Sequence, residues 1–332
     1  MENEIQVLVT GASGFIGRQL CLSLAGQGFK VRGLCRNLMH PLVPRHQNVR
    51  PVKGDINDID SLAEAMRGCG QVYHTAALAK MWVPDASEFY SVNVTGTRNV
   101  LDCALRQKVK RVVYTSSCGV LGPTIKHPMT EEDPRIMGFP IHYERTKYLA
   151  DLEVKKFIEQ GLDIVTVYPS RVYGEGPITG SNTVGKMISG YLRGTWRIIP
   201  GSGEAVANYA YLQDVVEGHI AAMLMGKTGN KYILGGEDIS FNEFFRTLSK
   251  VTGVHSKLFR IPQKVIKAFS HVEAARARLT GLSPVFLPEF ADRLNFDQKY
   301  SSQKAMTHLQ YRITPFHEGL KKTADYIKTS EL

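Results

Sequence analysis

The chain has 332 residues, 43% hydrophobic and 22% charged, an ordinary globular composition that excludes a disordered chain and leaves room for two lobes or one elaborated domain. No apolar stretch reaches the roughly 18 residues needed to span a bilayer, and the acidic start Met1-Glu2-Asn3-Glu4 is unlike a secretory signal. The five cysteines (Cys21, Cys35, Cys69, Cys103, Cys118) include no Cys-x-x-Cys pair, which fits reduced thiols in a soluble cytoplasmic protein rather than a disulfide framework or zinc ribbon. The formal charge is +10, and from Arg246 onward 15 Lys/Arg stand against 7 Asp/Glu. Scattered charge of this kind reads first as a solvated surface; otherwise it suits an anionic ligand, an anionic membrane face or nucleic acid. No basic stretch interleaved with aromatics appears, which argues against nucleic acid.

Short apolar runs and amphipathic segments alternate through the first half. Strands are expected at Ile5–Val9, Lys30–Cys35, Val49–Val52, Gln71–Thr75, Arg111–Ser116 and Asp163–Tyr168. Helices are expected between them at Phe15–Ala25, Asp60–Met66, Ala86–Arg106 and Tyr143–Glu159. This repetition demands right-handed crossovers and a doubly wound α/β sheet of the Rossmann type, about seven strands wide with Lys231–Leu234 as a further edge strand. After Tyr168 the alternation breaks. Tyr173–Gly203 reads as long loops around one helix, and helical patterns return at Gln213–Met225, Phe241–Val251, Pro262–Leu279 and Pro315–Ile327, with Asp214 and Ser240 as expected caps. The expected organisation is a dinucleotide-binding domain over residues 1–172, to which 205–235 return. Residues 173–204 and 236–332 then form a smaller, mostly helical substrate lobe.

Directly after the first strand comes Thr10-Gly11-Ala12-Ser13-Gly14-Phe15-Ile16-Gly17. Glycines there permit a tight turn, close approach of the backbone to a pyrophosphate, and tight packing of the helix on its strand; the helix N-terminus offers open N–H groups. Gly11, Ser13, Gly14, Phe15, Ile16 and Gly17 are therefore candidate cofactor contacts. The second strand ends Leu34-Cys35-Arg36-Asn37, where an NAD site usually presents an acid to the ribose hydroxyls. A cation at Arg36, with Arg32 behind it, suits a 2′-phosphate and favours NADP(H), with NAD(H) possible.

The G-x-x-G-x-x-G spacing resembles that of the extended short-chain dehydrogenase/reductase superfamily. The likeness continues through Gly54-Asp55-Ile56, His74-Thr75-Ala76-Ala77, Asn93-Val94-Thr95-Gly96-Thr97, Tyr114-Thr115-Ser116-Ser117, Tyr143-x-x-x-Lys147 and Tyr168-Pro169-Ser170-Arg171-Val172-Tyr173-Gly174. The resemblance implies adenine contacts at Asp55 and Ile56. It implies further cofactor contacts at Thr75, Ala76, Ala77, Asn93, Tyr143, Lys147, Pro169 and Val172.

Tyr143 and Lys147 share one helix face at i, i+4, and an ammonium beside a phenol lowers a pKa that is otherwise near 10. In the family, Tyr143 acts as the acid–base group and Lys147 also bonds the nicotinamide ribose. Ser117, with Ser116 as the fallback, stabilises the charge growing on a carbonyl oxygen. Thr146 stands where many relatives have serine. Cys118 has no assigned base and reads as a packed small residue. The histidines show no metal-ligand spacing, so no metal is expected.

Met81, Trp82 and Val83, with Met137–Ile141 including Phe139, stand where a pocket mouth is expected, as core packing or as an apolar substrate cover. His142 either packs or touches substrate, and Tyr173 is a further substrate candidate. Within the superfamily the segments Ala205–His219 and Lys231–Glu237 look most like the dihydroflavonol-reductase-like and 3β-hydroxysteroid-dehydrogenase-like bacterial group. Sugar-nucleotide enzymes tend to carry an arginine where this chain reads Glu204-Ala205-Val206-Ala207-Asn208. The expectation is an NADP(H)-dependent carbonyl reductase or alcohol dehydrogenase acting on a small or apolar ketone; a sugar-nucleotide epimerase or dehydratase is the alternative. Relatives often dimerise through the helices at Ala86–Arg106 and Tyr143–Glu159, so a homodimer is expected.

Overall fold

The computed structural model describes residues 6–284, 287–293 and 296–330. Residues 1–5, including Ile5 and the acidic start, lie outside them. In chain order the elements are β1 (Gln6–Thr10), α1 (Phe15–Gly26), β2 (Lys30–Cys35), β3 (Val49–Lys53), α2 (Ile59–Met66), β4 (Cys69–His74), α3 (Ser87–Tyr90), α4 (Gly96–Arg106), β5 (Arg111–Thr115), α5 (His142–Glu159), β6 (Ile164–Pro169) and β7 (Arg171–Tyr173). They continue with α6 (Thr183–Leu192), β8 (Ile198–Pro200), β9 (Val206–Tyr211), α7 (Leu212–Met225), β10 (Lys231–Leu234), β11 (Glu237–Ser240), α8 (Phe241–Thr252), β12 (Phe259–Ile261), α9 (Gln263–Thr280), α10 (Pro288–Arg293), α11 (Gln303–Leu309) and α12 (Phe316–Ser330).

Seven strands form one parallel sheet in the order β10-β6-β5-β4-β1-β2-β3. Lys231–Leu234 is indeed its edge. Val7 and Val9 pack under α1 and α7, while Leu8 faces the helices α2, α4 and α5, so the run Val7-Leu8-Val9 is apolar throughout because both faces are covered. Chain order reverses between β1 and β4, and an open α/β sheet holds its ligand outside the carboxyl ends of its strands at such a point. Beyond that edge a three-stranded sheet, β11-β9-β7, packs with α6, α8 and α12 around the aromatic core of Tyr173, Tyr191, Tyr209, Phe244, Phe245 and Phe316.

Three local expectations are corrected. The helix expected over Ala86–Arg106 is broken by a π-helical turn at Ser91–Thr95. The stretch Tyr173–Gly203, expected to be loops around one helix, also carries β8, which pairs with β12, and begins at the last residue of β7, which pairs with β9. Asp214 caps nothing: Tyr211 is the N-cap of α7, and the Asp214 carboxylate accepts the amide (2.7 Å) and hydroxyl (2.7 Å) of Thr314. Ser240 does cap α8, accepting the Glu243 amide at 3.2 Å.

Candidate active site

The glycine loop is built against the end of β4. Gly11 adopts φ +70°, and a Cβ there would stand 2.8 Å from the Ala76 Cα, so only glycine fits. Thr75 Oγ1 donates to the Thr10 carbonyl (2.7 Å), and the Ala76 amide donates to Thr10 Oγ1 (3.2 Å). Gly14 is the exposed N-cap of α1; it supplies no side-chain cap, and the first turn holds no acid. The first-turn N–H groups and the positive end of the helix therefore remain open to an anion. This cradle fits the pyrophosphate of a dinucleotide. Ser13, Phe15 and Ile16 are half-buried beside it, and Gly17 packs on the loop.

Around the cradle the expected contacts divide. Arg36 is exposed just beyond β2, whereas Arg32 turns away and caps α2 through the carbonyls of Ala65 (3.1 Å) and Arg67 (2.6 Å). Arg32 is thereby removed from the cofactor. Asp55 is half-buried and its carboxylate receives the Asn57 amide, while the Ile56 side chain is buried against Gly96, leaving only its backbone for a ligand. Ala76 and Ala77 line the end of β4 half-exposed; Pro169 is buried at the end of β6 and Val172 half-buried in β7.

Asn93 is fully buried and spends its amide within the protein. Its oxygen accepts the Leu78 amide (2.7 Å) and its nitrogen donates to Thr146 Oγ1 (3.0 Å). It braces the loop after β4 against α5 from behind the groove, which corrects its expected place as a cofactor contact.

His74, at the end of β4, completes this bracing. Thr97 Oγ1 donates to the Asn93 carbonyl and so accepts from His74 Nε2 (3.0 Å), which makes Nδ1 the acceptor of the Thr10 hydroxyl (2.8 Å). Burial holds this imidazole neutral, with its pKa lowered to about 3. His219 mirrors it under β5. Its Nδ1 donates to the Val215 carbonyl (2.7 Å), Nε2 accepts the Thr115 hydroxyl (2.8 Å), and burial lowers its pKa to about 4.

The catalytic candidates meet where β5 ends and α5 begins. Tyr143 is half-buried; burial raises the pKa of its phenol, opposed by a hydrogen bond from the Ser117 side. Lys147, 1% exposed, donates to the Thr115 carbonyl (2.8 Å) and lies 4.3 Å from the centre of the Tyr114 ring. Burial pulls its pKa down to about 8 against the upward pull of Asp151. Burial thus opposes the lowering of the Tyr143 pKa that a neighbouring ammonium would bring.

Ser116, the fallback for Ser117, is buried and donates to Asp151 (2.6 Å), whose other oxygen accepts from Tyr168 (2.6 Å). It is therefore turned away from the phenol. Cys118 is buried with its thiol on the Tyr168 carbonyl (3.1 Å) and its pKa raised by burial, as a packed residue should be. All five cysteines are buried and free.

Beside Tyr143, the carboxylate of Glu144 is 2% exposed and held by Arg135 (2.9 Å) and by Arg293 of α10. Arg135 also donates to the carbonyls of Gly119, Val120, Met137 and Gly138 and stacks 4.1 Å from the Phe139 ring centre, fixing the loop before α5. Met81 is exposed, Trp82 and Phe139 are half-buried, and Val83 is packed in. His142 is exposed and stacks on Phe89 (6.1 Å, 14°).

Tyr173 is corrected. At 1% exposure, with its hydroxyl on the Phe316 carbonyl (3.4 Å), it belongs to the aromatic core and offers no surface to substrate. Among the described residues no cluster of metal-ligating side chains occurs, and no helix is long and apolar enough to cross a membrane.

A parallel sheet that reverses at a glycine loop, with a Ser–Tyr–Lys set at its carboxyl edge, defines a nicotinamide-dinucleotide enzyme of the extended short-chain dehydrogenase/reductase fold. The chain belongs to the NAD dependent epimerase/dehydratase family, whose model matches residues 7–235. It is 34% identical over 310 residues to a Synechocystis protein named for dihydroflavonol 4-reductase (91% of this chain, 88% of the relative). It is 30% identical over 324 residues to a Mycobacterium tuberculosis 3 beta-hydroxysteroid dehydrogenase/Delta 5→4-isomerase (92% and 85%). The crystal structure of gox2253 superposes with a TM-score of 0.84 at 31% identity and covers 99% of both chains. The protein is accordingly an NAD(P)-dependent enzyme of oxidoreductase type.

Proposed function

We propose that this enzyme is an NADP(H)-dependent carbonyl reductase or alcohol dehydrogenase for an apolar ketone–alcohol pair. The observation that carries the reading is Tyr143 set beside Ser117 near the loop that holds Phe139, while the segment Glu204-Ala205-Val206-Ala207-Asn208, where sugar-nucleotide enzymes tend to carry an arginine, holds no cation and runs into β9. Of the two C-terminal arginines that could replace that cation, Arg260 is exposed beside Asn242, and Arg293, next to the site, is committed to the Glu144 carboxylate. A sugar diphosphate would therefore lack a counter-charge from the segment before Tyr209, and using Arg293 would mean breaking its pair with Glu144. The names of the reductase and hydroxysteroid dehydrogenase relatives support the same reading.

In this reading the glycine loop would hold the pyrophosphate, Arg36 the 2′-phosphate and Lys147 the nicotinamide ribose. When bound, the dinucleotide supplies or accepts hydride. Ser117 donates a hydrogen bond to the substrate carbonyl oxygen, and Tyr143 delivers its phenolic proton to the same oxygen as negative charge grows there. Lys147, kept cationic below about pH 8 and anchored on Thr115, stabilises the phenolate left behind.

The test is consumption of NADPH and of NADH with a panel of lipophilic ketones. NADPH oxidation should match alcohol formed. Tyr143→Phe should retain NADPH binding and lose roughly a hundred-fold or more in kcat. Arg36→Asp should erase a preference for NADPH of about ten- to a hundred-fold. Interconversion of a sugar nucleotide on permanently bound dinucleotide, with no net consumption, would overturn the reading in favour of the epimerase class.

A further inference from the structure

Helix α9 carries an apolar side that is exposed among the described residues. At about 100° per residue, Ile266, Ser270, Glu273 and Ala277 fall on one side and are buried. Val265, Ala268, Phe269, Val272, Ala275 and Leu279 fall on a second side, all exposed; Val265 is 54%, Val272 66% and Leu279 88% accessible. Lys264, Lys267, His271 and Arg278 occupy the third, also exposed. A single surface leucine needs no explanation, but an apolar stripe running the length of an 18-residue helix and continued by exposed Leu282 does.

The exposed charge on α9 and its flanking segments is positive, with Asp292 of α10 set against Lys267. Between residues 257 and 284 there are six Lys/Arg and one acid, Glu273, which is buried and paired with Arg276 at 2.9 Å.

We infer that α9 docks this enzyme peripherally on a bilayer surface carrying anionic lipid, with the Val265–Phe269–Val272–Leu279 stripe at the acyl boundary and the basic flank among the headgroups. An interfacial helix is built in this way, and its affinity combines buried apolar area with attraction of each cation to anionic lipid. A second copy of the chain is a poorer occupant, because a two-fold contact along this stripe would set basic flank against basic flank. The docked helix leads towards the active site. Lys267 pairs with Asp292 (2.7 Å), Gln263 donates to the Ala291 carbonyl (3.2 Å), and Arg293 of the same short helix α10 holds Glu144 next to Tyr143. The inference needs no knowledge of the substrate.

Flotation of the purified full-length protein with phosphatidylcholine vesicles, with and without about 30% phosphatidylglycerol, tests it. The protein should rise with the anionic vesicles and not with phosphatidylcholine alone, and about 0.5 M salt should weaken the association. Phe269→Glu combined with Val272→Glu should lower the partition coefficient at least ten-fold, and Lys264→Gln and Arg278→Gln by about five-fold each. All four positions are exposed, so an unchanged thermal midpoint will show that the variants are folded. Failure to float with anionic vesicles, or flotation indifferent to the Phe269/Val272 change, would overturn the inference. So would a wild-type dimer that Phe269→Glu dissociates, since that assigns the face to a second copy.

Discussion

At the scale of single residues, the site depends on keeping one ammonium charged in a place that disfavours charge. Burial brings the pKa of Lys147 from the ordinary 10.5 to about 8, and Asp151, one helical turn further on, pulls it upward. Asp151 is itself fastened by the hydroxyls of Ser116 and Tyr168. Lys147 therefore begins to lose its proton slightly above neutral pH. In the reductive direction kcat/KM, which reports the free enzyme, should be level up to about pH 8 and then fall towards ten-fold per pH unit. Asp151→Asn should move that limb to lower pH. A profile level to about pH 10 in both proteins would show that Lys147 is not the group whose charge matters. Tyr143 and Lys147 stand out as candidates in the sequence because their i, i+4 spacing is a local feature of the chain, and Ser117 through its resemblance to relatives. The roles of Asp151, Asn93 and the two buried histidines were not legible, since they arise from partners such as Thr10, Ser116 and Thr146 that sequence spacing does not bring together.

At the scale of elements, the parallel sheet was legible because its central strands β1, β5 and β6 carry apolar runs and helix-like segments alternate with the strands. The misses have physical causes. Strands β7, β8 and β12 are only three residues long, and none has a partner adjacent in sequence. The π-helical turn at Ser91–Thr95 looks helical in sequence, but its extra residue per turn accompanies the inward placement of Asn93 against Leu78 and Thr146. The two expected caps separate in the same way. Ser240 acts within its own first turn, so its signal is local; Asp214 joins α7 to Thr314, a hundred residues on. Their costs should differ accordingly. Ser240→Ala should lower the unfolding free energy by about 1 kcal/mol. Asp214→Ala, which strands a backbone amide and a hydroxyl that had a charged acceptor, should cost about 2–4 kcal/mol. Urea unfolding of the two variants measures both, and equal losses would mean that the Thr314 tether contributes little.

At the scale of the whole molecule, His74 and His219 stand under neighbouring strands at the carboxyl edge of the sheet, each satisfied only as a neutral ring. Their pKa values, lowered by burial to about 3 and about 4, compare with 6.5 for a free imidazole. Between those limits the unfolded chain binds protons that the folded protein refuses. Stability contributed by neutral His219 is therefore fully present above pH 6.5 and is lost as pH falls towards 4, with a slope approaching 1.4 kcal/mol per pH unit. Buried carboxylates with raised pKa values, such as Asp151 and Asp214, act in the opposite sense, so the absolute slope mixes several groups. The difference between two proteins isolates one of them. Glutamine at position 219 can still donate towards Val215 and accept from Thr115, yet it cannot titrate. Wild type should therefore lose about 2 kcal/mol more than His219→Gln between about pH 7 and about pH 5, and the gap should grow down to about pH 4 and then level off. Parallel stability curves for the two proteins across that range would mean that His219 takes up its proton without unfolding the edge of the sheet.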